Sequence, residues 1–299
     1  MKSIEPSQAI AQPRIGLALG GGGAKGLAHI VALEAFDQLG IRPVSIAGTS
    51  IGAIIGAAYA AGYSGKAIRD HALKTFRDRA DVMARLFRAR AGSITDIFSG
   101  GFGNAVQMDG ENVLREFWPI SMPDTFSDLR IPFTAVSTDF YGQCEAAFNN
   151  GPLRVAVAAS LAIPGIVKPV SINNRLHIDC AAANPLPFDK MLVACDFIIA
   201  VDVVGGPESD NPIHFPSVLE ATLGASQIMQ KKITEAKLAT ANARVQLIQP
   251  EVSGFSAMDF FEVRKILLAA EPIREEIQSA IKKFSGAFRE QVESGYSEM

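Results

Sequence analysis

Residues 43–53 read PVSIAGTSIGA, and the fold turns on them. Pro43 to Ala47 is a short apolar run with β-branched residues, suited to a buried strand, whereas Ser50 to Ala61 is rich in small apolar residues, suited to a buried helix. Between them lies Gly48-Thr49-Ser50-Ile51-Gly52. In this G-x-S-x-G pattern a strand turns directly into a helix and lifts a serine hydroxyl out of the sheet. Gly48 and Gly52 flank the turn because it brings backbone segments together with no room for a Cβ. Ser50 then sits at a helix N-terminus, where free amides and the helix dipole favour developing negative charge. The stretch between Arg42 and Lys66 carries no charge and is long enough to span a bilayer. Its interruption by AGTSIGA makes strand, turn and buried helix the better account.

Upstream, Arg14 to Leu19 (RIGLAL) reads as a strand and Gly26 to Leu39 as a helix closed by Gly40, with four consecutive glycines, Gly20 to Gly23, at the junction. The order is βαβα, which predicts a parallel sheet with helices on its faces. Downstream, Ser64 caps a further helix and Asp81 to Arg90 is another, followed by a glycine-rich loop from Gly92 to Gly110. Strands are expected at Ile131–Thr138, Gln143–Phe148, Ile166–Ser171, Arg175–Ile178, Asp196–Val204 and Arg244–Ile248. Helices are expected at Leu153–Ser160, Pro216–Ala243, Asp259–Ala269 and Pro272–Phe288. There is no internal repeat and no linker. One α/β domain over residues 14–290 is predicted, with a flexible leader at 1–13 and a disordered tail at 291–299.

The chain has 299 residues, 48% of them hydrophobic, enough for one large core or two modest ones. A formal net charge of −3 gives no global electrostatic reason for a nucleic-acid partner, and none is expected. Cys144, Cys180 and Cys195 show no CxxC spacing, so neither a disulfide framework nor a zinc site is implied. With no secretory signal in Met1 to Arg14, a cytoplasmic location is the expectation.

Gly21-Gly22-Gly23-Ala24-Lys25-Gly26 satisfies GxGxxG, but the second strand ends in Gly48-Thr49-Ser50, without the carboxylate that would hold a ribose. A P-loop fails because Gly26 follows Lys25 where Ser or Thr should stand. The third reading follows from topology. Loops after adjacent parallel strands emerge at one edge, so the amides of Gly21 to Lys25 are expected beside the Ser50 hydroxyl, where they would hold an oxyanion. Lys25 opposes the dipole of the helix it starts, which suggests an anion nearby; a solvated surface lysine is the plain alternative.

A serine nucleophile needs a base. Of His29, His71, His177 and His214, only His214 follows the order Ser, Asp, His used by α/β-hydrolases, and it lies in a polar loop, ESDNPIHFP, that reads as surface. A carboxylate can serve instead if it is partly desolvated, which raises its pKa. RLHIDCAAANP offers this: Asp179 ends a short strand beside small residues, and His177 shares its strand face.

These blocks, Gly21 to Gly26, Gly48 to Gly52, Ala159-Ser160-Leu161-Ala162-Ile163-Pro164, and Asp179 ahead of Asn184-Pro185, resemble in order the patatin-like phospholipases. The resemblance covers about Arg14 to Asp202, and LIQPEVSGFSAMDF looks like the C-terminal part of small bacterial members and the neuropathy-target-esterase branch. It implies a three-layer α/β/α fold with a mostly parallel central sheet, a Ser-Asp dyad, and hydrolysis of acyl esters of lipids without metal or cofactor. Carried over, Ser50 is the nucleophile, Asp179 the base, and Gly21, Gly22, Gly23, Ala24, Lys25 and Gly26 the oxyanion loop. Cys180 departs from the family, which usually has glycine there; at positive φ it would be strained by about 1–3 kcal/mol. The implied partner is a phospholipid or another acyl-ester lipid. A lysophospholipase, a thioesterase, a carboxylesterase or a low-turnover lipid-binding module are the alternatives, and the oligomeric state stays open.

Lys66 to Arg90 holds eight Lys or Arg against three Asp, a face for anionic headgroups at the inner membrane surface or a solvated helix surface. The loop Gly92 to Gly110, with Ile94, Ile97, Phe98, Phe102 and Val106, is expected as a lid or lipid-contacting segment.

Overall fold

The computed structural model describes residues 12–90, 107–119, 121–206, 215–241 and 244–297. Four fully buried strands lie at the centre of one mixed eight-stranded sheet. Its strands are β1 (Ile15–Leu19), β2 (Ser45–Thr49), β3 (Phe133–Asp139), β4 (Cys144–Phe148), β5 (Val170–Ile172), β6 (Arg175–Asp179), β7 (Phe197–Val201) and β8 (Val245–Ile248). The order β3-β2-β1-β7-β8 is parallel throughout. β1, β2, β3 and β7 are buried at every position, as parallel strands covered on both faces must be. The sheet is more mixed than expected, because β4, β5 and β6 join antiparallel at the β3 side.

The helices are α1 (His29–Leu39), α2 (Ile51–Ala60), α3 (Gly65–Thr75), α4 (Arg79–Arg88), α5 (Gly110–Phe117), α6 (Leu153–Ser160), α7 (Val218–Ala239), α8 (Val263–Ala270) and α9 (Pro272–Ser297). Their ends follow local chemistry. Gly40 closes α1 in the left-handed conformation at φ 66°, Ser64 Oγ accepts from the Ala67 N–H at the start of α3, and Asp78 accepts from the Ala80 and Asp81 N–H groups. That Asp78 cap starts α4 earlier than hydrophobic periodicity alone indicates. The helix expected from Gly26 begins as a 3-10 turn, Gly23–Ala28. α9 continues to Ser297, so a disordered tail from 291 is not what is found through that residue.

The sheet divides the core unequally. Ile15, Leu17 and Leu19 point into the large core with α1, α2, α6, α8 and α9, whereas Ala18, Ile198 and Ala200 meet a small one closed by Leu186 and Phe188, with Leu238 from α7. The second outer layer of the α/β/α sandwich is accordingly thin. Residues 91–106, most of the expected lid, and His214 lie outside the described residues.

Candidate active site

The elbow sits where β2 gives way to α2. Ser50 has φ 56° and ψ −124°, a conformation a side chain adopts only when its surroundings enforce it. Two features enforce it. β2 is held on both sides, by β1 and β3, and the Ser50 N–H donates to Ser160 Oγ at 2.8 Å while that hydroxyl donates to the Val136 carbonyl at 2.6 Å. The last residue of α6 therefore clamps the elbow to β3. Glycine is needed at 52 because a Cβ there would land on the Leu19 carbonyl.

Strand register brings Asp179 to this point. β4 pairs with β3 over Ala135 to Asp139, which overlaps the residues that pair with β2 (Phe133 to Val136) and with β6 (Ser137 to Asp139). A strand has two edges, so β2 and β6 must share the edge that β4 leaves free. They run toward each other along it: Thr49 stands opposite Val136, and Asp179 opposite Ser137, the next position. The residue after Thr49 is Ser50.

Asp179 is 4% exposed. Its Oδ1 accepts from the Ala181 N–H at 2.8 Å, and its Oδ2 is buried with no hydrogen-bond partner. Burial pushes its pKa up to about 6, against smaller downward pulls from the adjacent Ser50 hydroxyl and the Ala181 N–H. Backbone ties hold the carboxylate in place: the Asp179 N–H donates to the Ala162 carbonyl at 3.0 Å, and Thr138 Oγ1 donates to the Asp179 carbonyl at 3.1 Å. Beyond it, Thr49 Oγ1 donates to the Asn184 carbonyl at 2.8 Å, joining the segment after the acid to the residue before the serine. Asn184 Nδ2 donates to Glu145 and Asp189, which also pair with Lys190 and Lys237. Cys180 is buried and is not among the positive-φ residues, so the backbone strain considered from sequence is absent; burial pushes its thiol up to about 12.

The glycine loop lies against the elbow: a Cβ on Gly21 would be 3.5 Å from the Ser50 Cβ, and one on Gly26 would enter the Ile51 side chain. Its amides are not equivalent. Gly21 N–H donates to the Pro185 carbonyl at 3.0 Å and Ala24 N–H to the Ala257 carbonyl at 2.7 Å. The N–H groups of Gly22 and Gly23 have no partner among the described residues, and Gly23 holds φ 59°. Lys25 is 1% exposed and its ammonium donates to the Val204 carbonyl, so it is not a surface lysine.

The described histidines have other tasks. His29 Nε2 donates to the Gly20 carbonyl at 2.8 Å, and burial pushes its pKa down to about 4, so it stays neutral and props the glycine loop. His177 is hydrogen-bonded to Ser137 at 2.9 Å and packs edge-on against Phe148. His71 Nε2 donates to the Phe117 carbonyl at 2.7 Å. Ser160, Asn184 and His29 thus support the site; the sequence named the first two only as parts of motif blocks and His29 only as a possible base. A serine ending a small-residue helix and a histidine near a helix start are locally unremarkable, and only the Ser160 and Asn184 blocks of the motif pointed toward them.

A family model, Patatin-like phospholipase, matches residues 17–192, which contain both loops, the Ser160 clamp and Asp179. The chain belongs to the patatin-like phospholipase family. An uncharacterized NTE family protein of Mycobacterium bovis is 34% identical over 203 residues, 66% of this chain and 52% of that protein. The lysophospholipase NTE1 of Saccharomyces cerevisiae is 28% identical over 202 residues, 67% of this chain and 11% of that protein. The chain therefore matches about half of the mycobacterial relative and a small part of the yeast one. The crystal structure of VipD from Legionella pneumophila superposes with a TM-score of 0.45 at 12% identity, over 90% of this chain and 67% of that one.

Proposed function

We propose that this patatin-like protein is a serine lipid acyl hydrolase that works through Ser50 and Asp179 and an acyl-enzyme. The observation that carries the reading is the head-on meeting of β2 and β6 along one edge of β3, which puts a desolvated carboxylate next to a strained serine. Asp179 Oδ2, having no other partner, takes the Ser50 proton as the oxygen attacks the ester carbonyl. The developing oxyanion is held by the N–H groups of Gly22 and Gly23, since those of Gly21 and Ala24 are already engaged. Asp179 returns the proton to the leaving alkoxide and then draws one from the water that resolves the acyl-enzyme. No step calls for a metal or cofactor. A pKa near 6 suits both tasks, because the carboxylate is ionised at neutral pH and is still a stronger base than an exposed aspartate.

The substrate class is an acyl ester of a phospholipid or lysophospholipid, supported by the family and by the printed name of the yeast relative. No helix among the described residues is long and apolar enough to cross a membrane, so on this reading the enzyme meets lipid from the side, as a peripheral protein.

The test is fluorophosphonate labelling together with hydrolysis of a lysophospholipid. Wild type should label and Ser50→Ala should not, with hydrolysis falling by about 10⁴-fold or more. Labelling that survives in Ser50→Ala would place the nucleophile elsewhere; its absence from both proteins would favour a lipid-binding module.

A further inference from the structure

α4 presents two large apolar side chains to solvent. Met83 and Phe87 are 60% and 66% exposed, one turn apart on a single stripe. The inward face of the same helix is accounted for: Val82 and Ala89 are buried, and α4 packs on α5. The outward stripe has no protein cover among the described residues.

Its surroundings are cationic. From Lys74 to Arg90 the chain has six Lys or Arg and two Asp, an excess of four positive charges in a protein of net charge −3. Arg85 and Arg88 pair with Asp81 and Glu116, and Asp78 is engaged with the amides of its own helix. Lys74, Arg77 and Arg79 are exposed and have no carboxylate partner among the described residues; the Arg79 guanidinium lies over the Phe261 ring at 4.9 Å. The Arg90 guanidinium lies 5.3 Å over the ring of Phe87, at the end of the apolar stripe.

The end of α4 is joined to the active-site edge by backbone. Asp109 N–H donates to the Ala89 carbonyl, and Met108 exchanges hydrogen bonds with Ile166 and Lys168, a few residues beyond Ala162, whose carbonyl holds the Asp179 N–H. The end of α4 is therefore tied by backbone hydrogen bonds, through Met108 and Asp109, to the segment Ile166–Lys168 that follows Ala162.

We infer that the Met83–Phe87 stripe of α4, with Arg79 one turn before Met83, Arg90 over Phe87, and Lys74 and Arg77 just upstream in the chain, is the face on which the protein seats on a bilayer carrying anionic headgroups. It names the partner surface of the proposed hydrolase and rests on that reading for its purpose, though not for its geometry. The apolar pair enters the acyl boundary while these cations meet lipid phosphates, an arrangement that combines apolar burial with charge attraction. Exposed apolar side chains next to a cation-rich stretch fit a negatively charged interface better than a second copy of this acidic chain.

The experiment is vesicle flotation, with phosphatidylcholine alone and with phosphatidylcholine plus phosphatidylglycerol. Wild type and Ser50→Ala should both bind the anionic vesicles more tightly than the neutral ones, and added salt should weaken that binding. Met83→Ser/Phe87→Ser should bind at least about tenfold more weakly, and Arg77→Glu/Arg79→Glu should lose the preference for anionic vesicles, losing about fivefold or more per removed charge. Thermal unfolding of each variant establishes that it is folded; all four positions are exposed. Equal binding of the two vesicle types by wild type, or undiminished binding by folded Met83→Ser/Phe87→Ser, overturns the inference. So does loss of binding confined to Phe140→Ser/Tyr141→Ser, the other exposed aromatic pair. If the hydrolase reading failed, fluorophosphonate labelling would be absent while the flotation pattern held, so the two failures are distinguishable.

Discussion

Asp179 and Glu34 are both carboxylates tucked into this protein, and their surroundings push them in opposite directions. Burial drives Asp179 up to about 6, and no cation answers it. Burial also acts on Glu34, but Arg69 and Arg274 donate to it at 2.6 and 2.7 Å and hold it below the usual carboxylate range. Glu271 completes this second cluster by pairing with both arginines where α1, α3, α8 and α9 meet. One carboxylate is neutralised by two arginines, and the other meets no such partner among the described residues. The difference teaches that burial alone does not fix a carboxylate's basicity: burial without a compensating cation raises it, and burial between two guanidinium groups does not.

The largest expected break of this contrast is Asp179→Asn, which should lower hydrolysis by about 10²- to 10⁴-fold. It should also stabilise the fold at neutral pH. The folded pKa of about 6 lies above that of an exposed aspartate, so the contribution of Asp179 to stability is fully present below about pH 4 and is lost as pH rises through 6. That rise corresponds to about 3 kcal/mol. Urea unfolding at pH 7 should show Asp179→Asn more stable than wild type, with the gap closing toward pH 4. In the active enzyme, the acid limb of kcat/KM should fall near pH 6, whereas an exposed carboxylate would place it near 4. An Asn variant less stable than wild type at pH 7 would mean that the carboxylate has a partner after all.

Glu34→Gln should do the reverse, lowering stability and leaving kcat close to wild type. Removing one member of a buried ion cluster costs about 3–5 kcal/mol, and partial solvent access here argues for about 2–4. Chemical denaturation beside a turnover assay reads both. Smaller again is Ser160→Ala, which leaves the buried Ser50 N–H without its acceptor and should cost about 1–3 kcal/mol of stability. It should also lower kcat more than it changes KM, because the strained φ of Ser50 loses its clamp. A loss of stability with kcat intact would show that β2 and α2 hold the elbow unaided.

Much of the site is legible along the chain because it is local. The elbow follows from two glycines bracketing a serine between a strand and a helix, and the glycine loop from its place after β1. The parallel centre of the sheet follows from alternating strand and helix signals, which depend on neighbouring residues only. Asp179 could be reached from a strand end beside small residues, together with a family resemblance. The lysine at 25 shows the limit: its sequence context suits either a cation beside an anion or a solvated surface lysine, and its burial against Val204 depends on a segment far along the chain.

Sequence by itself determined the elements, the elbow and the candidate acid, since propensity, turn chemistry and glycine spacing act over a few residues. Tertiary structure decided that β6 arrives on the β2 edge of β3, that the Gly22 and Gly23 amides are left without acceptors among the described residues, and that Cys180 has an ordinary backbone. These depend on register between distant strands and on which carbonyl reaches which amide, and such pairings are set only when the whole sheet closes.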